Sequence, residues 1–315
     1  MRIAILGAGS LGSLYGALLS QVDGVELFVH GRGIHGAHMA AEGLSVEGER
    51  DFFVSNDDVL FSLDEVGLPP AALGTLDFVL LTGKSDQIEM LAGLARQLLN
   101  ADGYVLSLSN GLGHAELCQG VLGPHRVFAA TSTHGAWRPS PGTVHWAGKG
   151  ETVLGSLSGG PGMEEAIPLL SVLEQAGLSP QWSNDGIAII WRKVLLNIAI
   201  NPIAAIAGVE NGALLRPNLF SSALSTMLEG ASVARLERVP LPDDSELEEH
   251  LRQVLNATSE NMCSMLQDLR NGRRTEIKFL NQAIVERGER VGIQTPLNQV
   301  LAAMNTALHL NHIHN

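Results

Sequence analysis

Short apolar runs alternate with amphipathic stretches through the first half of the chain. Segments 2–6, 25–30, 77–81, 104–107 and 127–131 are rich in aliphatic residues, as strands buried in a parallel sheet are. Between them, 10–20, 85–99 and 114–122 space their apolar residues at the helical period. This order predicts β-α-β units and an α/β fold, a Rossmann-type doubly wound parallel sheet. From 142 to 157 the rhythm changes, and 143–146 with 152–154 predict an antiparallel pair closing one edge of that sheet. A further helix is predicted at 163–175, ended by Gly177. Beyond Asn184 the strand signals disappear. Helices predicted at 187–200, 246–268 and 276–290 make a second, all-helical domain, so the expected domains are 1–184 and 185–315.

A hydrophobic content of 45% is ample for two cores, and a formal net charge of −13 argues against partners that present rows of phosphates, nucleic acid or an anionic membrane surface. The long apolar stretch 186–200 is broken by Trp191, Arg192, Lys193 and Asn197, so no membrane span is predicted. Residues 1–6 run straight into a glycine turn without a basic leader or cleavage signal, which points to the cytoplasm. Cys118 and Cys263 fall in different predicted domains, away from any metal-ligand spacing, so neither a disulfide nor a metal is expected. His309, His312 and His314 are close enough in sequence to suggest a metal, yet a solvated tail accounts for them equally well.

Candidate chemistry begins at Gly7-Ala8-Gly9-Ser10-Leu11-Gly12, a G-x-G-x-x-G motif between the first strand and the first helix. In that position the first glycine permits the turn, the second lets amides approach a pyrophosphate, and the third lets strand and helix pack closely. The helix N-terminus then faces the phosphates. Cofactor choice is read at the end of the second strand, where a carboxylate would bind the 2′-hydroxyl of NAD. The chain has Phe28-Val29-His30-Gly31-Arg32 there, and Arg32 suits a 2′-phosphate, so NADPH/NADP+ is expected. Lys84 and Asn110 follow two other strands, at the ends where open α/β sheets bind ligands. Asn110, beside Gly111, also reads as an ordinary turn residue.

In 191–202, Lys193, Asn197 and Asn201 recur every four residues and drift by only about 40° per step on a helix, so three polar groups share one face of an apolar segment. Such groups need partners, which a ligand pocket between the domains would supply. Only four lysines occur, Lys84, Lys149, Lys193 and Lys278. A partly buried ammonium can donate a proton near neutral pH, whereas a guanidinium cannot. Bridging between helices is the plainer role for the same three residues. Ser264 is a further candidate for contact with substrate, and Glu276 opens the next predicted helix, where a carboxylate also suits the helix dipole.

Taken together, the glycine motif, Lys84, Ser109-Asn110-Gly111, Thr131-Ser132-Thr133-His134, 191–202, Glu210-Asn211-Gly212, 264–268 and Thr275-Glu276 are similar to the ketopantoate reductase (2-dehydropantoate 2-reductase) family over nearly the whole chain. The resemblance implies an NADPH-dependent reductase of a small 2-keto acid in pantothenate biosynthesis, a monomer or homodimer. It implies Lys193 as proton donor, with Asn197, Asn201, Asn211 and Ser264 positioning the substrate. It also implies Glu276 at the junction of cofactor and substrate, and Gly7 to Gly12, Arg32, Lys84, Asn110 and Ala136 along the cofactor. Gly83 and Ser85 flank Lys84 where the family often has bulkier residues. A paralogous reductase of another 2-keto acid is the nearest alternative reading, and a non-catalytic NADP(H) sensor is one of a different class.

Overall fold

The computed structural model describes residues 1–64 and 67–313, with side chains to residue 308; His309 and His312 lack described side chains and His314 lies outside the described residues. Among the described residues no group of His, Cys, Asp or Glu could hold a metal ion. The chain divides into two compact units: residues 1–109 with 113–189, and residues 110–112 with everything from Ile190 onward.

The first unit runs β1 (Arg2–Leu6), α1 (Ser10–Leu19), β2 (Glu26–Gly31), α2 (Gly33–Glu42), β3 (Leu44–Gly48), β4 (Phe52–Val54), β5 (Leu60–Leu63), β6 (Leu76–Leu81), α3 (Ile88–Leu98) and β7 (Leu99–Ser107). It continues with α4 (His114–Leu122), β8 (Val127–Ser132), β9 (Gly135–Trp137), β10 (Thr143–Gly148), β11 (Thr152–Ser156), α5 (Met163–Gln175) and β12 (Pro180–Ser183). Its large sheet has the order β12-β11-β8-β7-β6-β1-β2-β5, parallel except where β11 meets β8. Strand residues alternate between two cores as the pleat requires. Ile3, Ile5, Phe78 and Leu80 pack with α1 and α5, while Ala4, Leu6, Val79 and Leu81 pack with α3 and α4. Helices on both faces make this the doubly wound sheet that the strand and helix rhythm predicts.

The stretch 142–157 departs from expectation. Segments 143–146 and 152–154 do not pair with each other. Instead β10 enters a second sheet of order β4-β3-β10-β9, parallel to β3 and antiparallel to β9, while β11 pairs with β8 in the large sheet. Val144 and Trp146 turn their side chains into the core that holds Leu14 and Leu18 of α1, so β10 packs against that helix rather than at the sheet edge.

The second unit is helical: α6 (Gly186–Ala207, entering at Ile190), α7 (Pro217–Leu236), α8 (Asp244–Ala257), α9 (Ser264–Arg270), α10 (Asn281–Val291) and α11 (Pro296–Ile313). By length and composition α6 could cross a membrane, but 72% of its apolar window is buried within the protein. The single helix expected over 246–268 is two. It starts at a capping box, Asp243 accepting from the Ser245 and Glu246 amides, and stops at Ala257. The break is held because the amides of Asn211 and Gly212 donate to the carbonyls of Asn261 and Ser259, which a continuous helix would use internally.

Pro202 lies inside α6 and has no N–H for the carbonyl of Ile198. Asn281, fully buried on α10, donates to that carbonyl at 3.1 Å and to Asn298 Oδ1 at 3.0 Å. The helix therefore passes the proline with its orphaned acceptor satisfied by a side chain.

Candidate active site

In the first unit the glycine turn forms one wall of an open cleft of about 540 Å³ at the C-terminal ends of the central strands. The amides of Gly7 and Ala8 both donate to the His30 carbonyl, and Thr82 Oγ1 donates to the Gly7 carbonyl at 2.9 Å, so β1, β2 and β6 together fix the turn. Gly7 has φ +97°, and a Cβ there would lie 2.4 Å from the Gly83 backbone. Gly12 has no room for a Cβ either, with Thr82 Oγ1 at 2.4 Å. Gly9 differs. A Cβ there would meet only the Gly7 carbonyl oxygen, at 3.9 Å, so nothing within the chain requires glycine, and the position opens onto the cleft. No side chain caps α1 and no acidic residue occupies its first turn. This is the cradle a pyrophosphate needs.

The cleft brings Gly7, Ala8, Gly9, Arg32 and Lys84 together. Ser10, Leu11 and Gly12 build the first turn of α1 instead of the wall, and Ala136 lies on β9. Arg32 is exposed at the N-cap of α2. When the Gln87 amide turns its oxygen toward it, Gln87 accepts from Arg32 Nη1 at 3.2 Å and from Nη2.

Three titratable residues that the sequence pattern does not single out also line the cleft. His30 is buried at the end of β2, sharing protons with Ser62 Oγ and Asp64 Oδ1, each at 2.6 Å. Asp64 reaches the cleft from the end of β5, because β5 pairs with β2 in register, Gly31 opposite Leu63. Arg138 follows β9 and is half-buried. A basic side chain in a loop of so acidic a chain was the available signal for Arg138. For Asp64 the signal required the strand pairing.

In the second unit Asn201, Ser264, Met265, Asp268, Glu276 and Leu280 come together around one narrow recess. Asn201 comes from α6 and is buried, and Ser264 opens α9. Glu276 Oε2 accepts from Asn110 Nδ2 at 3.3 Å, so Asn110, expected along the cofactor, sits on the carboxylate of this unit. Lys193, two turns before Asn201 on α6, is half-buried in surroundings poor in water. Burial lowers its pKa from 10.5 to about 8, and the opposing pull of the Glu276 carboxylate keeps it from falling further. Asn197 lies between Lys193 and Asn201 on α6, half-buried. Asn211 is buried elsewhere and donates from Nδ2 to Thr258 Oγ1 at 3.0 Å, so part of its amide joins the break after α8.

An ammonium poised near neutral pH, a nearby carboxylate and uncharged hydrogen-bonding groups suit proton donation to a small polar substrate. The cleft suits a dinucleotide.

Comparison with known proteins shows the family to which both units belong. Residues 3–159 match the family described as Ketopantoate reductase PanE/ApbA, and residues 185–309 match its C-terminal part. The 2-dehydropantoate 2-reductase of Pyrococcus horikoshii is 36% identical over 96% of both chains, and that of Archaeoglobus fulgidus is 36% identical over 95% of both. Among solved structures, the PanE/ApbA family ketopantoate reductase of Ralstonia eutropha is 31% identical, with a TM-score of 0.86 and full coverage of both chains. D-mandelate dehydrogenase with NADH and anilino(oxo)acetate is 26% identical, with a TM-score of 0.90 over 99% of both. By its match over both units and its relatives, this chain belongs to the ketopantoate reductase family of oxidoreductases.

Proposed function

We propose that the chain reduces 2-dehydropantoate to pantoate, a step of pantothenate biosynthesis, using NADPH with Lys193 as the proton donor. The observation that carries this reading is the Lys193 ammonium, its pKa drawn down to about 8 beside Glu276. When bound, the reduced nicotinamide supplies the hydride that reaches the keto carbon. The two electrons of the carbonyl π bond then move onto oxygen. Lys193 gives its proton to that oxygen and is left as a neutral amine, so the product is an alcohol and no alkoxide accumulates. Glu276 keeps the ammonium charged at working pH, and Asn110 keeps the Glu276 carboxylate turned. Asn197, Asn201 and Ser264 offer hydrogen bonds to the substrate. In the glycine cleft the amides of α1 take the pyrophosphate, with Lys84 beside it, and Arg32 takes the 2′-phosphate.

Asp64 supports a second reading, in which its carboxylate accepts from the ribose hydroxyls of NADH and the substrate is another 2-keto acid. One assay separates the two: loss of the reduced-nicotinamide absorbance with ketopantoate and with a panel of simple 2-keto acids, each with NADPH and with NADH. Fast turnover of NADPH with ketopantoate is the expected result. Turnover confined to NADH, or to other keto acids, would favour the second reading. No turnover with any of them would overturn both.

A further inference from the structure

The geometry points to Arg138 as a second guanidinium of the 2′-phosphate site, in the cleft it lines together with Arg32. The inference rests on the NADPH reading and adds to it a residue from outside the nucleotide-binding turns.

Arg138 lines the same cleft as Gly9, Arg32 and Gln87, yet it comes from a different part of the chain, on the loop that follows β9 of the small sheet. Its loop is pinned against α1 and α2. The Gly142 amide donates to His35 Nδ1 at 3.0 Å, and the other nitrogen of His35 lies 2.8 Å from Ser13 Oγ. A Cβ at Gly142 would lie 2.3 Å from His38 Nδ1, so the loop is seated directly on α2. The charge of Arg138 is felt in the first turn of that helix, where, after burial, it is the next cause holding His35 in its neutral form.

That end of α2 is built for an anion. Arg32 is its N-cap, no side chain caps it, and no acidic residue lies in its first turn. Asp64, the carboxylate that lines the cleft, lies 2.6 Å from His30 Nε2. What NADPH adds to NADH is one phosphate dianion on the adenosine ribose. Binding it in a chain of net charge −13 calls for local cations. Arg32 is exposed and held by the Gln87 side chain, whereas Arg138 is half-buried and its loop already anchored. Two guanidiniums lining one cleft can offer a phosphate more charge-assisted bonds than a single exposed arginine.

The test titrates wild type, Arg138→Ala, Arg138→Lys and Arg32→Ala with NADPH and NADH by nicotinamide fluorescence, and with 2′,5′-ADP and 5′-AMP by calorimetry. Arg138→Ala should weaken NADPH and 2′,5′-ADP by roughly 10- to 100-fold, the loss of a charge-assisted bond pair, and NADH and 5′-AMP by less than about twofold. Arg138→Lys, which keeps the charge and loses the fork, should fall between. Equal losses for phosphorylated and unphosphorylated ligands, or no loss, would overturn the assignment. If wild type prefers NADPH and only Arg32→Ala erases that preference, Arg138 is excluded while the cofactor reading stands. If wild type binds NADH as tightly as NADPH, the cofactor reading itself fails, and Arg138 with it.

Discussion

In the proposed mechanism Lys193 depends on Glu276, whose carboxylate raises the lysine pKa against the lowering by burial. A lysine needed as an acid loses its proton as pH rises through its pKa, so turnover should fall above about pH 8. Glu276→Gln removes the charge that holds that pKa up, and the alkaline limb of the pH–rate profile should then move to lower pH. An unmoved limb would show that the titrating group is not Lys193. Lys193→Ala should lower kcat by roughly 100- to 10,000-fold, the usual scale of general acid catalysis, with NADPH affinity nearly kept. Near-wild-type turnover in that variant would exclude Lys193 as the donor. His35 titrates in the opposite sense. Burial, then Arg138 and His38, lower its pKa from 6.5 to about 4, so the unfolded chain takes up the proton first. Its contribution to stability is complete above pH 6.5 and declines as pH falls toward 4, by about 1.4 kcal/mol per unit. Urea unfolding followed between pH 7 and 4 should show this slope in wild type and a flatter one in His35→Gln; equal slopes would remove His35 from the account.

At the scale of elements, periodicity carries far where one core decides the pattern. Strands β1, β6 and β8 and helices α1, α4 and α5 lie within a residue or so of their predicted spans, because the strands and α1 are buried along apolar runs and α4 and α5 bury an apolar face at the helical period. The small sheet was not legible, since β3, β4 and β9 are short and their pairing, β10 with β3 across nearly a hundred residues of chain, is set by packing on α1 rather than by local pattern. The site was half legible for the same reason. Lys193 and Asn201 announce themselves by helical spacing, while Asp64 and Arg138 reach the cleft only through strand register and a distant loop. Pro202 within α6 is equally opaque until Asn281 is seen bonded to the Ile198 carbonyl. Asn281→Leu should orphan that carbonyl and Asn298 Oδ1 and cost about 2–4 kcal/mol in unfolding free energy. Adding Pro202→Ala returns a backbone donor to Ile198 and should recover part of the loss, whereas strictly additive effects would argue against this coupling.

At the scale of the whole molecule, every residue lining the glycine-turn cleft belongs to the first unit, so a cofactor bound there as proposed should stabilise that unit directly. At a hundred times its Kd, a ligand adds about 2.7 kcal/mol. Calorimetric scans should therefore show NADPH raising the Tm of the first unit's transition, with NADH at equal concentration raising it less. Equal shifts would mean that the 2′-phosphate is not recognised. The same division has a bearing on building hybrids from two family members. Residues 110–112 group with the second unit, where the Leu112 amide donates to the Phe279 carbonyl at 3.0 Å and Asn110 holds Glu276. A hybrid joined once, near residue 185, would draw this triplet from one parent and its partners from the other. Grafting a new substrate preference onto this first unit thus calls for three crossovers, two around the triplet and one near residue 185, so that the triplet travels alongside the helices it serves.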